Sequence, residues 1–378
     1  MPGWYKNIKG HLDDGSLHAT AIVEEQHGER TSLFNQWKEL DKIETFVDSL
    51  NRLDVAAVPI VLFVDEFGII RKRNPKPSEV DDFLEYDFEN DPSAKLIELP
   101  QRPGDQDAID GKLDQAIAAY REHLKQNPED ARAQFRLGVC YRKRFDGMLS
   151  RGNSEDFVLA VQHWQTALRL NPNQYIWRRR LQQYGPVLSK PYPFYDWVDM
   201  ARNEIVARGE SPRKLLTEPT GAELIGPAAA ANSERDVAVQ EPDPTGRVHR
   251  DRSETVVVRT AIIHSTEKKD TARVHVMLRP SAVGGYDWNN EAEPVRLWIR
   301  NDQPFKSNHS LVTFSQPKEE SSSELRRSEF EVSWSDSDQP KPLEAYVVYH
   351  LCNKQTGQCV FWRQDISIDV VPTEKGQP

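Results

Sequence analysis

The 378-residue sequence predicts a multidomain protein of mixed class: an α/β unit over residues 1–98, an all-α helical repeat over 105–209, a flexible linker over 210–252 and an all-β sandwich over 253–372. Three observations carry this prediction. The first hundred residues alternate strand and helix patterns and close on a hairpin. The middle contains an internal repeat. The last third alternates apolar and polar residues with a period of two. At roughly 150 residues per domain the length alone gives two to three domains.

Composition narrows the function classes. Apolar residues make up 38% and charged residues 29%, and Lys+Arg 49 against Asp+Glu 59 leaves a net charge of −10. That balance disfavours electrostatic capture of nucleic acid or of an anionic membrane. No apolar run reaches the roughly 18 residues of a bilayer-spanning helix. Three cysteines are too few for a disulfide-built mini-fold or an all-cysteine zinc site, and no metal or cofactor is expected. Phosphate-binding loops (G-x-x-x-x-G-K-[ST], G-x-G-x-x-G), H-E-x-x-H helices and G-x-S-x-G elbows are absent. Met1-Pro2-Gly3-Trp4 opens no cationic-then-apolar leader, which taken literally places the chain in the cytoplasm.

In the first unit, Trp4, Tyr5, Ile8 and Leu12 share one helical face. Residues 17–25 (LHATAIVEE) read as a buried strand, 29–40 as an amphipathic helix through Leu33, Phe34, Trp37 and Leu40, and 44–47 as a short strand. A strand then runs to Asp65 and turns through Glu66-Phe67-Gly68 into a second strand. Glu24-Glu25-Gln26-His27, at the end of the first strand, can be drawn as an acid/base group, although strand ends carry solvated polar residues as a matter of course. Val58-Pro59 entering a strand and Val64-Asp65-x-x-Gly68 leaving it resemble the thioredoxin-like fold, in particular its redoxin branch. The resemblance implies a cis Pro59 shaping a redox site; read from the residues alone, Pro59 equally opens an edge strand in trans.

The family's Cys-x-x-Cys opens the helix before the strand matching LHATAIVEE, where the helix N-terminus lowers the thiol pKa. Here that helix would be residues 2–13, and it has no cysteine. The family's central strand, between those matching LHATAIVEE and PIVLFVD, also has no counterpart. One expectation is therefore a chain whose first strand, dithiol and leader lie upstream, which would place it outside the cytoplasm as an oxidoreductase-like protein. The other is a vestigial domain without redox chemistry.

In the middle, Ala116-Ile117-x-x-Tyr120 with Leu124 and Asn127-Pro128 recurs, from 116 to 160, as Ala160-Val161-x-x-Trp164 with Leu168 and Asn171-Pro172. Leu137-Gly138 and Tyr141 complete a pattern that resembles the tetratricopeptide repeat, with an insertion of roughly ten residues in its period of about 34 falling in residues 145–155. Helices over 175–184 and 192–207 are expected to cap the stack. Such an array binds protein partners on a concave face or acts as a spacer. Cys140 reads as a buried core residue. The arginines of Trp177-Arg178-Arg179-Arg180 point different ways at helical spacing and make no nucleic-acid patch.

The C-terminal unit shows seven candidate strands in about 117 residues, the count and spacing of an antiparallel sandwich. Cys352 and Cys359 flank a Gly-containing hairpin loop and can bridge it; with His350 they can also be imagined as metal ligands, but no fourth ligand is apparent nearby. The unit resembles the immunoglobulin-like N-terminal domain of the DsbD thiol:disulfide interchange proteins, which carries a cysteine pair at this place and shuttles electrons to periplasmic partners. The spacing here is one residue longer than the family's, and no cap loop is evident. The resemblance implies a redox role for Cys352/Cys359; a structural disulfide or free thiols are the alternatives. Together these readings point to a thiol–disulfide redox-associated protein with little reductase activity in this form and an exchange partner, or else to a non-catalytic repeat scaffold.

Overall fold

The computed structural model describes residues 2–56, 58–94, 101–147, 155–186, 195–219, 239–300, 303–335 and 342–371. The architecture is mixed α/β and multidomain. The N-terminal unit runs α1 (Pro2–Asp14), β1 (Thr20–Val23), α2 (Gly28–Lys38), β2 (Glu44–Val47), β3 (Leu62–Val64), β4 (Ile70–Arg73), a short 3-10 turn and α3 (Val80–Glu85). β1 and β2 pair in parallel, and β3 and β4 form a separate antiparallel hairpin. The hairpin turn is built on Asp65, whose carboxylate accepts the N–H groups of Phe67 and Ile69 and pairs with Arg71 at 2.5 Å, while Gly68 takes φ +80°. α1 reaches both strand pairs: Trp4 packs edge-on against Phe63 of β3, and the Tyr5 hydroxyl donates to Asp41 ahead of β2.

The expectation of a buried first strand is corrected here. Among the described residues β1 and β2 have only each other as hydrogen-bonded strand neighbours, and the cross-strand partners Ile22 and Phe46 remain 50% and 51% exposed.

The helical unit comprises α4 (Asp105–Ile109), α5 (Leu113–Gln126), α6 (Ala131–Gly147), α7 (Glu155–Leu170) and α8 (Tyr175–Gln182). The repeated positions do the same work in both copies: Ala116 and Ala160 are fully buried, as are Tyr120 and Trp164 one helical turn later. Gly138 of α6 is where the indole of Trp164 approaches the backbone. Asp130 caps α6, accepting the N–H groups of Arg132 and Ala133. Most of the expected insertion, residues 148–154, lies outside the described residues.

The final helix, α9 (Trp197–Ala207), departs from expectation. It does not close the helical stack; its buried Val198, Ala201 and Ile205 pack on Leu33 and Trp37 of α2, and the Trp37 indole donates to Glu204 at 2.6 Å. An amphipathic helix buries its apolar stripe on whichever apolar face is open, and α2 supplies one.

The C-terminal unit holds β5 (His249–Arg250), β6 (Val256–His264), β7 (Thr271–Pro280), β8 (Tyr286–Asn289), β9 (Arg296–Ile299), β10 (Lys306–Ser307), β11 (Leu311–Thr313), β12 (Ser321–Ser322), β13 (Arg326–Ser333), β14 (Leu343–Asn353) and β15 (Cys359–Ile368). One sheet has the order β10-β13-β7-β6; the other runs β11-β9-β14-β15-β5, with β8 on β14 and β12 on β8. Side chains of both sheets form a single core around Val274, Trp288, Leu297, Phe330 and Tyr349. Part of the linker expected over 210–252 is engaged by the sandwich: Asp243 pairs with Arg363 at 3.0 Å, the Tyr346 hydroxyl donates to Glu241, and β5 adds to β15 in parallel. Residues 220–238 lie outside the described residues.

A methyl group at Gly138 would sit 2.6 Å from the Trp164 indole and 3.0 Å from the Ala160 carbonyl, with no room for either to move. Gly138→Ala is therefore expected to lower unfolding free energy by about 1–3 kcal/mol in urea melts despite its better helix propensity. A neutral or stabilising result would contradict this packing.

Candidate functional site

The ladder between β14 and β15 runs without interruption from Leu343↔Ile368 to Cys352↔Cys359. The two cysteines face each other across its last rung and are joined by a disulfide, Cα to Cα 4.0 Å. Val347, Tyr349 and Leu351 point into the core, so the alternate residues His350 and Cys352 lie on the outer face. Cys359 is exposed and Cys352 half-buried. On the neighbouring rung the His350 ring stacks on Phe361, centroids 4.4 Å apart, and partial burial holds the imidazole below its ordinary pKa.

The loop closing this hairpin is held by more than the disulfide. Asn353 N–H donates to the Gln358 carbonyl, Gly357 N–H to the Asn353 carbonyl, and the Asn353 side chain accepts from Gln355 and Thr356. Lys354 adds a backbone bond to Gly285 and an ion pair to Asp287 at 2.8 Å. Both sulfurs are committed to each other and His350 to Phe361, so these three make no metal site. Among the described residues no group of three or more His, Cys, Asp or Glu side chains is arranged to hold a metal ion.

The Val58–Pro59 peptide bond is cis. Pro59 lies on the N-terminal unit, which has no cysteine, and the structure does not bring it together with Cys352 and Cys359 on the C-terminal hairpin. Cys140 is fully buried in α6, and burial pushes its thiol up to about 12, which keeps it protonated and inert.

One cluster that the sequence pattern did not single out joins all three units at Tyr184, just past α8. Its ring stacks on Trp164 at 5.9 Å and meets Phe157 edge-on. Its hydroxyl lies 3.2 Å from His27 Nε2 of the N-terminal unit, and its carbonyl accepts from His275 Nε2 of the C-terminal unit at 2.7 Å. His275 in turn pairs with Glu329 at 2.9 Å. Arg142 is 2% exposed, paired with Asp146 and stacked over the rings of Phe145, Phe157 and Tyr184. His27 is buried among these groups, so the expected strand-end acid/base group is a docking element rather than a solvated site.

Thiol counts check these assignments. The oxidised native chain should show no reactive thiol, the reduced native chain two, and the reduced denatured chain three. Because the hairpin loop carries its own hydrogen bonds, near-UV circular dichroism should be retained when the two thiols appear. A third thiol reacting under native conditions, or loss of the tertiary signal on reduction, would contradict this reading.

No protein-family model and no curated protein matches the chain. Solved structures that align with about a third of it include two of unrelated description. The GAE domain of yeast GGA1 aligns at 14% identity over 32% of this chain and 96% of that one, with a TM-score of 0.23. BslA, a bacterial hydrophobin, aligns at 10% identity over 32% and 97%, with a TM-score of 0.14. Scores this low carry no argument about fold or function.

Proposed function

We propose that this chain is a thiol–disulfide redox-associated multidomain protein whose exchangeable group is the Cys352–Cys359 pair. In this reading the N-terminal unit is a thioredoxin/redoxin-like domain without its dithiol, the helical unit is tetratricopeptide-like, and the C-terminal unit is an immunoglobulin-like sandwich of the DsbD N-terminal type. The observation that carries it is the placement of the disulfide: on an outer sheet face, with Cys359 an exposed residue, in a hairpin that its own hydrogen bonds also hold. A disulfide that the fold does not need, and that a partner thiolate can reach, is free to exchange.

The cis Pro59 loop has no cysteine beside it in sequence, so the chain by itself is expected to show little reductase activity. No helix among the described residues is long and apolar enough to cross a membrane, and the proposed partners are proteins.

A non-catalytic scaffold is the second reading. It draws support from the N-terminal unit, which has no cysteine and so reads there as a vestigial redoxin domain.

The midpoint potential of the Cys352–Cys359 pair separates the two. A value above about −300 mV supports exchange; a value below it marks a permanent bridge and leaves the scaffold.

A further inference from the structure

Two ionisable side chains at the end of β1 meet the helical unit with opposite proton preferences. Four guanidinium groups face His27: Arg30 from α2, Arg142 from α6, Arg180 from α8 and Arg327 from β13. The carboxylate nearest its ring is Asp146, 3.5 Å from Nδ1, and it already pairs with Arg142 at 2.9 Å. The neutral ring fits this setting: Nδ1–H faces Asp146 and Nε2 accepts from the Tyr184 hydroxyl. A second proton would remove that acceptor and add a fifth cation. The other charges around the joint are already engaged. Glu25 holds the N–H groups of Gln26 and His27 and accepts from Tyr195, and Glu329 holds His275 and Arg273.

Glu24 has the reverse problem. Both of its carboxylate oxygens are buried with no hydrogen-bond donor among the described residues. Asp48 lies nearby and is occupied by Arg52. Of the cations that face Glu24, Arg136 is held by Asp105 and Arg180 by Gln26; Lys143 of α6 shares the Asp48, Arg52 and Arg180 surroundings. The neutral acid is the form that fits.

We propose that Glu24 and His27 make the docking of the N-terminal unit onto the helical unit pH-compensated, so that removing either residue converts the joint into a pH switch of opposite sign. A histidine kept neutral by docking weakens docking as pH falls below its ordinary value of 6.5. A carboxyl group kept neutral by docking, with its pKa raised by burial from 4.5 to about 8, strengthens docking as pH falls across that interval. Over roughly pH 4.5–6.5 the two slopes, each up to about tenfold per pH unit, cancel.

The Tyr175 N–H, which donates to the Ala56 carbonyl at 3.1 Å across this interface, reports docking through its hydrogen-exchange protection factor; amides of the β14–β15 ladder serve as the reference. Between pH 6.5 and 5.5 the wild-type protection factor should stay constant. Glu24→Gln should lose about fivefold, His27→Gln should gain about tenfold, and the double variant should be flat. Should His27→Gln fail to fold, His27→Asn in the Glu24→Gln chain provides the second arm, because it also removes the titrating ring and should abolish the acid loss. Identical pH dependence in Glu24→Gln and the chain that also lacks His27, or an acid loss in wild type as steep as in Glu24→Gln, would each overturn the proposal.

Discussion

The structure depends on what meets at Tyr184. One residue offers its ring to Trp164 and Phe157, its hydroxyl to His27 and its carbonyl to His275, and so belongs to the helical core while touching both neighbours. Arg142 backs this residue, a fully enclosed guanidinium whose charge is met by Asp146 and whose flat faces lie against aromatic rings. Burying such a cation is costly unless every donor finds a partner, so the geometry around it tolerates little displacement. The helical unit accordingly serves as a hub. Arg136 fixes the N-terminal unit through the Leu50 carbonyl, and Ala261, Ile263 and Met277 of the β6–β7 face complete the helical core from the other side.

This arrangement changes how the middle segment is understood. An array of this kind, taken alone, offers a concave face to an outside partner. Here flanking units pack on it, Leu50 from one side and Ile263 from the other, while Ile22 and Phe46 of β1 and β2 stay half-exposed and Cys359 is exposed on the C-terminal hairpin. The Cys352–Cys359 disulfide and the cis-proline loop therefore stand on different units, which argues against a shared site.

Much of this is legible in local sequence pattern. Ala116 and Ala160 announced the helical repeat because the positions that let helices approach recur with their aromatic partners. Cys352 and Cys359 announced a cross-strand pair because a short Gly-containing loop between apolar strands leaves few other geometries. Contacts between distant segments were not readable. His27 and Tyr184 are 157 residues apart and His275 and Tyr184 are 91 apart, with no local signature to link them. The stripe of α9 showed that it would be buried, not that α2 would cover it. Short strands such as β5 and β12 have too few residues to show a period.

If one buried joint makes the three units a single cooperative body, scanning calorimetry should show one unfolding transition for wild type, with calorimetric and van't Hoff enthalpies equal. Tyr184→Ala, which removes the ring, its stacking and the hydroxyl contact, should separate the transitions. Separate transitions already present in wild type, or a single undivided transition that persists in Tyr184→Ala, would contradict it.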